Sequence, residues 1–223
     1  MLKAILFDMD GVIVNTEPLH HKAYYHMFSD VNIEVSDNLY ASFTGQSTMA
    51  ICKELCKQFN LPLAPETLVE IKRDHFKYLF ENDTELALID GVLDLIKDYH
   101  FNGLTLVLAS SASMPNINSI FKRFDLDQYF IAKLSGADLK ASKPHPEIFE
   151  KAAIASGFKP QECVVIEDST NGIKAAKDAG IFCIGYDSLN SKNQDYSLAN
   201  IVISDFKEIY FDKIKSKFIS FSN

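Results

Sequence analysis

The stretch Leu2–Val12 reads LKAILFDMDGV, and it governs how the rest of the chain is interpreted. Its apolar half has the length of a buried parallel strand, which ends at Asp8. Asp8 and Asp10, two residues apart at the end of such a strand, can both project into the crevice where open α/β sheets bind ligands. Gly11 permits the sharp turn that follows. Two crowded carboxylates repel each other, so the stretch predicts a site for a cation or a shared proton.

Three later segments carry polar residues at the ends of apolar runs or just before a helix. They are residues 103–113 (GLTLVLASSAS), residues 141–147 (ASKPHPE) and residues 163–173 (CVVIEDSTNGI). Taken singly, each is typical of a helix cap, a loop or a solvated turn. Taken together and in this order, they make a purely structural acidic turn after the first strand a much weaker interpretation. The residues concerned are Ser110, Ser111, Lys143, Glu167 and Asp168.

The composition is that of an ordinary globular protein, with 47% hydrophobic and 23% charged residues in a chain of 223. A net charge of −8 disfavours a nucleic-acid partner, because such binding depends on Lys and Arg. No apolar stretch approaches the roughly 20 residues that cross a bilayer. The first strand leaves no room for a signal peptide. We therefore expect a cytoplasmic protein with no membrane partner.

The four cysteines do not form a recognisable disulfide framework. Cys52 and Cys56 are four residues apart on a predicted helix, so they could share a zinc ion. No second pair of Cys or His residues with ligand spacing accompanies them. Cys163 and Cys183 fall at predicted strand positions. Buried free thiols are the favoured interpretation of all four.

The periodicity of apolar residues divides the chain into two kinds of structure. Between residues 17 and 86 apolar residues recur at helical spacing, as Leu19, Ala23 and Met27 do. From Asp90 onward, short apolar runs alternate with amphipathic helices, which predicts a mostly parallel sheet with right-handed crossovers. The runs are residues 104–109, 130–134, 163–167, 181–185 and 200–204. The helical stretch is therefore an insertion after the first strand.

The four polar segments, in this order, resemble the four motifs of the haloacid dehalogenase superfamily, and the match spans the whole chain. The helical insertion is similar to the cap of the subgroup that contains phosphoglycolate phosphatase, β-phosphoglucomutase and sugar-phosphate phosphatases. The resemblance implies an α/β protein whose core, residues 1–16 and 87–223, is a Rossmann-like doubly wound parallel sheet. It also implies an all-helical cap, residues 17–86, inserted after the first strand.

The resemblance implies phosphoryl transfer, with Asp8 as a nucleophile that forms an aspartyl-phosphate and Asp10 as general acid and base. The implied cofactor is Mg²⁺, a hard cation that carboxylates share with substrate phosphate. Its implied ligands are Asp8, the main-chain carbonyl of Asp10, and Asp168, with Glu167 acting through a water. Four crowded acids without a cation would be costly, which favours a metal site over a purely structural cluster.

The same resemblance assigns residues to the phosphate and to the rest of the substrate. Lys143 supplies a positive charge, while Ser110 and Ser111 offer a hydroxyl and main-chain N–H groups at the start of the following helix. The residues implied at the junction with the cap and on its substrate-facing side are Thr16, His20, Gly45, Gln46, Ser47, Thr48 and Lys72. For Thr16 and His20, plain packing remains the alternative. The sequence leaves the isomer of the peptide bond before Pro144 open, trans being the commoner form.

The cap residues bear on which reaction is catalysed. β-Phosphoglucomutase has an arginine for a second phosphate where this chain has Thr48, and a Lys-Asn pair where this chain has Ser113 and Met114. Lys72 does align with a cap lysine of the mutase. A threonine hydroxyl cannot replace the bidentate phosphate clamp of an arginine.

We therefore expect a monomeric phosphatase of small phosphorylated metabolites, such as hexose or related sugar phosphates. A phosphohexomutase similar to β-phosphoglucomutase is the alternative. A non-catalytic binding domain is disfavoured because no motif residue is missing. Asp10 argues against a dehalogenase, since those members of the superfamily lack the second aspartate.

Overall fold

A parallel sheet organises the computed structural model, which describes residues 1–43, 46–187 and 193–222. Its strands are β1 (Ala4–Phe7), β2 (Thr105–Ser110), β3 (Ala132–Ser135), β4 (Cys163–Glu167), β5 (Phe182–Tyr186) and β6 (Ile201–Ile203). They are ordered β3-β2-β1-β4-β5-β6, and every neighbouring pair is parallel. The first strand therefore lies in the middle of the sheet, where both of its faces are covered.

The α-helices of the described residues fall into a cap group and a core group. The cap group is α1 (Glu17–Asp30), α2 (Asp37–Ala41), α3 (Thr48–Gln58) and α4 (Pro65–Asn82). The core group is α5 (Val92–Phe101), α6 (Met114–Arg123), α7 (Glu147–Ser156), α8 (Thr170–Asp178) and α9 (Phe211–Ser222).

Alternation along β1 shows how helices cover both faces of the sheet. All four side chains of the strand are buried. Ile5 and Phe7 pack into a cluster with residues of α5, α6 and α9, whereas Ala4 and Leu6 pack into a second cluster with residues of α7 and α8. Successive strand residues point to opposite faces, so a run of apolar residues serves two helical layers. The predicted Rossmann-like doubly wound parallel sheet is confirmed.

The apolar run at residues 130–134 begins two residues before the strand that it predicts, β3. Phe130 precedes β3 and packs edge-on against the rings of Phe7 and Phe121, while Ile131 is 63% exposed. The registered pairs with β2 are formed by Ala132–Ser135, and the main-chain N–H of Ile131 donates to the carbonyl of Leu106 just before them at 3.0 Å. The apolar character of residue 130 therefore reflects core packing beyond the strand end and not pairing in the sheet.

The cap helices have an apolar cluster of their own. It contains Tyr24 and Met27 of α1, Leu55 of α3 and Leu68 of α4. A smaller cluster joins Leu19 and Ala23 of α1 to Phe76 of α4. The helices occur in the predicted stretch, while the division of the chain into two domains at residues 16 and 86 remains a prediction.

The two segments that connect cap and core run side by side. The main-chain N–H of Ile89 donates to the carbonyl of Ile13 at 3.0 Å, and Val14 forms an antiparallel bridge with Leu88. The chain therefore leaves and re-enters the core at one place. Two adjacent connecting segments of this kind are suited to act as a hinge between cap and core.

Arg123, the last residue of α6, binds the segment through which the chain returns from the cap to the core. Its guanidinium donates to the carbonyls of Phe80 (3.1 Å), Asp83 (2.7 Å) and Leu86 (3.4 Å). The last carbonyls of a helix have no partner within it and carry partial negative charge. Because α4 has no basic residue in its last turn, a side chain of the core supplies this cap.

The described part of the chain contains no helix long and apolar enough to cross a membrane.

The four cysteines are free thiols. Burial raises the pKa of Cys52 to about 12 and that of Cys183 well above its usual value. Such thiols are packed as small apolar groups and remain protonated.

Replacing Arg123 tests its role at the hinge. Arg123→Met keeps an aliphatic stem but removes three charge-assisted hydrogen bonds to carbonyls, so we expect a loss of roughly 1–3 kcal/mol in the free energy of unfolding. Urea titration measures it. Lys122→Met, an exposed change in the same helical turn, should have an effect within about 0.5 kcal/mol. If both variants unfold alike, the contacts of Arg123 contribute nothing to stability.

Candidate active site

The predicted acidic residues meet at the carboxyl ends of two neighbouring strands. Asp8 follows β1, and Glu167 and Asp168 stand at the end of β4. The main-chain N–H of Asp8 donates to the carbonyl of Ile166 at 3.0 Å, which continues the register of the two strands. These groups open into a cavity of about 460 Å³, a volume suited to a small ligand.

Lys143 is the positive charge within this acidic cluster. It is 4% exposed, and its ammonium donates to Asp8 Oδ1 at 2.5 Å, to Glu167 Oε1 at 2.6 Å and to the carbonyl of Ala109 at 3.1 Å. Burial lowers the pKa of Lys143, but the two carboxylates more than offset this and raise it. The side chain is therefore a fixed cation between the ends of β1 and β4.

The peptide bond between Lys143 and Pro144 is cis. It is therefore not the trans isomer, which is the commoner form before proline.

Glu167 uses both carboxylate oxygens within the protein. One accepts from Lys143, and the other accepts from the main-chain N–H (2.9 Å) and hydroxyl (3.0 Å) of Ser169. Its carboxylate also lies where a side chain at residue 172 would stand: a Cβ added to Gly172 would be 1.7 Å from Oε1. Glu167 is thus the residue that holds Lys143 in place. Its water-mediated contact with a metal remains a prediction.

The charge balance around Asp8 fits a divalent cation. Burial raises the pKa of Asp8 to about 7, with Lys143 acting in the opposite direction. The neighbouring carboxylates of Glu167 and Asp10 raise this pKa further. One ammonium therefore does not neutralise the acids of the site, and the donors at hand are hard oxygens of the kind Mg²⁺ prefers.

The number of predicted ligands is small. Among residues 1–43, 46–187 and 193–222, no three His, Cys, Asp or Glu side chains form a ready-made metal site. Mg²⁺ commonly uses only one or two carboxylates, with waters and substrate phosphate completing its shell. Asp8, Asp168 and the main-chain carbonyl of Asp10 remain the predicted ligands.

Gly11 makes room for Asp168. Its φ of +89° lies in the left-handed region, and a Cβ built there would be 1.9 Å from Asp168 Oδ2. The missing side chain thus permits the loop after β1 to approach the carboxylate that follows β4. This close approach sets the distance between the two strands' acidic residues.

Asp10 is held by residues at the junction of cap and core. Thr16, which is fully buried, donates its hydroxyl to Asp10 Oδ1, and His20 Nε2 lies 3.7 Å from the same oxygen. Burial alone would raise the pKa of Asp10. The nearby imidazole of His20, the hydrogen bond from Thr16 and the charge of Lys72 more than offset this and lower it. The arrangement favours an ionised Asp10.

Lys72 stands behind His20 and not in the cavity wall. It is 1% exposed, and its ammonium lies 2.6 Å from His20 Nδ1 and 4.8–4.9 Å from the ring centres of Tyr24 and Phe76. Burial lowers the pKa of Lys72 to about 8. Lys72 is predicted on the substrate-facing side of the cap, and in the structure it reaches Asp10 indirectly, through His20.

The segment after β2 differs from the prediction in detail. The buried hydroxyl of Ser110 accepts from the main-chain N–H of Ala112 at 3.0 Å, and the cavity is lined by Ser111 and Ala112. Helix α6 begins at Met114 and not directly after Ser111. A short turn therefore separates these residues from the helix, and Ser111 and Ala112 of this turn line the cavity.

The cap contributes the opposite wall of the cavity. Gln46 and Thr48 line it, and their contact with a substrate remains a prediction. Ser47 turns elsewhere: it is buried and its hydroxyl contacts that of Ser142. Gly45 lies outside the described residues.

Several residues that line this cavity are not among those predicted from the sequence. Glu17 and Tyr24 follow the helical spacing of His20 on α1, so the periodicity of that helix could have identified them. Tyr40, whose hydroxyl donates to Glu17 Oε1 at 3.1 Å, gave no such signal. The further lining residues are Asp37, Asn38, Ala41, Phe43, Ile51, Ser169 and Asn193.

Comparison with known proteins identifies similar chains. The sequence profile of the haloacid dehalogenase-like hydrolases matches residues 5–186. Protein CbbY of Cereibacter sphaeroides is 28% identical over 218 residues, which cover 94% of each chain. A phosphorylated carbohydrates phosphatase of Thermotoga maritima is 29% identical over 205 residues, covering 88% of this chain and 90% of its own. A β-phosphoglucomutase structure from Clostridium difficile has a TM-score of 0.86 at 26% identity and covers 100% of this chain and 99% of its own.

The fit of Asp168 against Gly11 can be measured with a matched pair of variants. Gly11→Ala and Gly103→Ala both place a side chain at positive φ, at a cost of about 1–2 kcal/mol. Only residue 11 also meets a neighbour, since nothing lies within 4 Å of a Cβ at residue 103. We expect Gly11→Ala to lose about 1–3 kcal/mol more unfolding free energy than Gly103→Ala. Equal losses would mean that Asp168 can move aside freely.

Proposed function

Because the chain belongs to the haloacid dehalogenase-like hydrolase family, we propose that it is a Mg²⁺-dependent phosphatase of small phosphorylated metabolites, with hexose or related sugar phosphates as its substrate class. Its class as a phosphoric monoester hydrolase follows from the family and from phosphatases among its relatives. The observation that carries the finer proposal is the buried Asp8–Lys143–Glu167 cluster beside Asp10 and Asp168, at the mouth of a cavity.

The first step transfers the phosphoryl group to Asp8. A carboxylate oxygen of Asp8 forms a bond to phosphorus as the bond to the leaving oxygen breaks, and Asp10 delivers a proton to that oxygen. Lys143 and Ser111, which both line the cavity, offset charge on the phosphoryl oxygens. The product of this step is an aspartyl-phosphate and the free alcohol.

The second step releases phosphate and restores Asp8. Water attacks phosphorus, and Asp10 takes the proton of that water as the bond to Asp8 breaks. An Asp10 held ionised by Thr16 and His20 is suited to this half of the reaction. In the first step Asp10 must carry a proton in order to donate it. Contacts that stabilise the ionised form of Asp10 therefore favour the second step, in which Asp10 accepts a proton.

Mg²⁺ would be held by Asp8, Asp168 and the Asp10 carbonyl, and when bound it would neutralise charge shared between the carboxylates and the substrate phosphate. Lys143 already contacts Oδ1 of Asp8. The cap would cover the cavity, with Gln46 and Thr48 on its substrate side. A cytoplasmic location, a monomeric state and the lack of a nucleic-acid partner remain predictions.

A phosphohexomutase is the second candidate, favoured by the structural likeness to a β-phosphoglucomutase. Against it, the position of the mutase arginine is held by Thr48, which lines the cavity. A mutase must bind two phosphates and protect its phospho-enzyme from water. A threonine hydroxyl does not supply the necessary bidentate clamp.

The products distinguish these two candidates. We expect the enzyme, given β-glucose 1-phosphate, Mg²⁺ and a trace of glucose 1,6-bisphosphate, to release inorganic phosphate faster than it forms glucose 6-phosphate. Coupled assays for both products measure the two rates, and a panel of phosphorylated metabolites with and without Mg²⁺ identifies better substrates. Rapid isomerisation with almost no phosphate release would make the mutase correct.

Three matched Asp→Asn variants separate the proposed roles. Asp8→Asn loses the nucleophile and a metal ligand, so its activity should fall by a factor of at least about 10³. Asp10→Asn should lose about 10²–10⁴ in kcat but keep its Mg²⁺ affinity, since only its carbonyl binds the ion. Asp168→Asn should lose Mg²⁺ affinity. A tenth of wild-type activity in Asp8→Asn, or equal loss of Mg²⁺ affinity in the other two, would contradict these assignments.

A further inference from the structure

We propose that Ser47 and Ser142 form a hydroxyl bridge through which the cap loop positions Lys143, so that the phosphate-binding cation is fixed when the cap lies over the site. Both would then be positioning residues that act through Lys143. The inference rests on the proposed function for its catalytic consequence, but the bridge itself is a direct contact between cap and core.

The contact is short and partly buried. The two hydroxyl oxygens are 2.6 Å apart, although the residues are 95 positions apart in the chain. Ser47 is only 4% exposed. Such a distance is that of a good O–H···O hydrogen bond, and removing one partner leaves the other hydroxyl buried without it.

On the cap side, Ser47 sits at a defined point of the wall. It is the N-cap of α3, and its oxygen accepts from the main-chain N–H of Ala50 at 3.3 Å. Its neighbours Gln46 and Thr48 both line the cavity. A contact that holds Ser47 therefore also holds the two residues that face the substrate.

On the core side, Ser142 directly precedes the buried lysine. Its carbonyl accepts from the main-chain N–H of His145 at 2.9 Å, which closes a turn around Lys143. The ammonium of Lys143 binds Asp8 and Glu167 at 2.5 and 2.6 Å. A shift of this turn would move the ammonium relative to both carboxylates and to a bound phosphoryl group.

These two halves make the bridge a coupling element. When the cap loop is in place, Ser47 fixes Ser142 and hence the turn that carries Lys143. When the loop moves away, the turn loses that contact while Glu167 still holds the ammonium. Phosphate binding and cap position should then favour each other, since each stabilises the same arrangement of residues 142–145.

Single variants test the two ends separately. Ser142→Ala removes only the bridge, whereas Ser142→Thr keeps the hydroxyl and should restore it. Ser47→Ala removes the bridge and the N-cap of α3. Ser36→Ala is the matched control, because Ser36 caps α2 through Leu39 at 3.3 Å but is exposed and lies away from the bridge.

The first readout needs no activity. Hydrogen exchange of the amides of residues 46–50 should be faster in Ser142→Ala than in the wild type, and unchanged in Ser142→Thr and Ser36→Ala. Unchanged exchange in Ser142→Ala would overturn the bridge itself. This result would reject the Ser47–Ser142 bridge but would say nothing against the proposed phosphatase activity.

The second readout is catalytic and uses p-nitrophenyl phosphate as substrate and inorganic phosphate as inhibitor. We expect Ser142→Ala to lower kcat/KM roughly two- to tenfold, the range for one net hydrogen bond, and to raise the inhibition constant of phosphate by a similar factor. A merely destabilised enzyme would lose kcat without weaker phosphate binding, so an unchanged inhibition constant would overturn the coupling.

A double-mutant cycle completes the test. If the hydroxyls act through each other, Ser142→Ala should have little further effect on kcat/KM in the Ser47→Ala background. Fully additive losses would mean that the two serines act separately and would overturn the proposal. Wild-type enzyme that releases no phosphate from any ester, while exchange behaves as expected, would instead reject the proposed function and retain the bridge.

Discussion

The ion pairs of Lys143 with Asp8 and Glu167 are the constraint on which the site depends. An ammonium and two carboxylates are all nearly inaccessible to solvent, so none of them could remain charged there without the others. The pairs also tie three separate parts of the chain together: the end of β1, the end of β4 and the turn before α7. The acids of the first and last motifs are therefore held at a fixed separation before any ligand binds.

The second constraint comes from the cap. Asp10, the residue proposed to move protons, touches Thr16 at the crossing and lies near His20 at the start of α1. His20 in turn rests on the ring of Phe76 and contacts Lys72, both on α4. The orientation of a core carboxylate thus depends on how two cap helices pack. Cap position and chemistry are linked through this chain of contacts and, in our proposal, through Ser47 and Ser142.

The sequence predicted the fold well where a local pattern was sufficient. Continuous apolar runs identified the central strands, since strands covered on both faces must be apolar throughout. The run near residue 130 was less accurate, because Phe130 is buried by aromatic neighbours and not by strand pairing. Ser110 and its neighbouring N–H groups were predicted at the start of the following helix, and a turn lies between them and Met114, where the helix begins. The hydrogen bond from the Ala112 N–H to the Ser110 hydroxyl forms that turn, and periodicity does not reveal it.

By itself the sequence determined which residue types stand at the ends of which strands, and through the ordered motifs it indicated the family and the acidic site. Only the tertiary structure decided which groups meet. It directed both oxygens of Glu167 to Lys143 and Ser169 and placed Lys72 behind His20. It also brought Tyr40 to the cavity and Ser142 against Ser47. The physical reason is that spacing along a chain fixes the face of an element on which a residue lies. Its partners are set by how distant elements pack, and that packing depends on the whole chain.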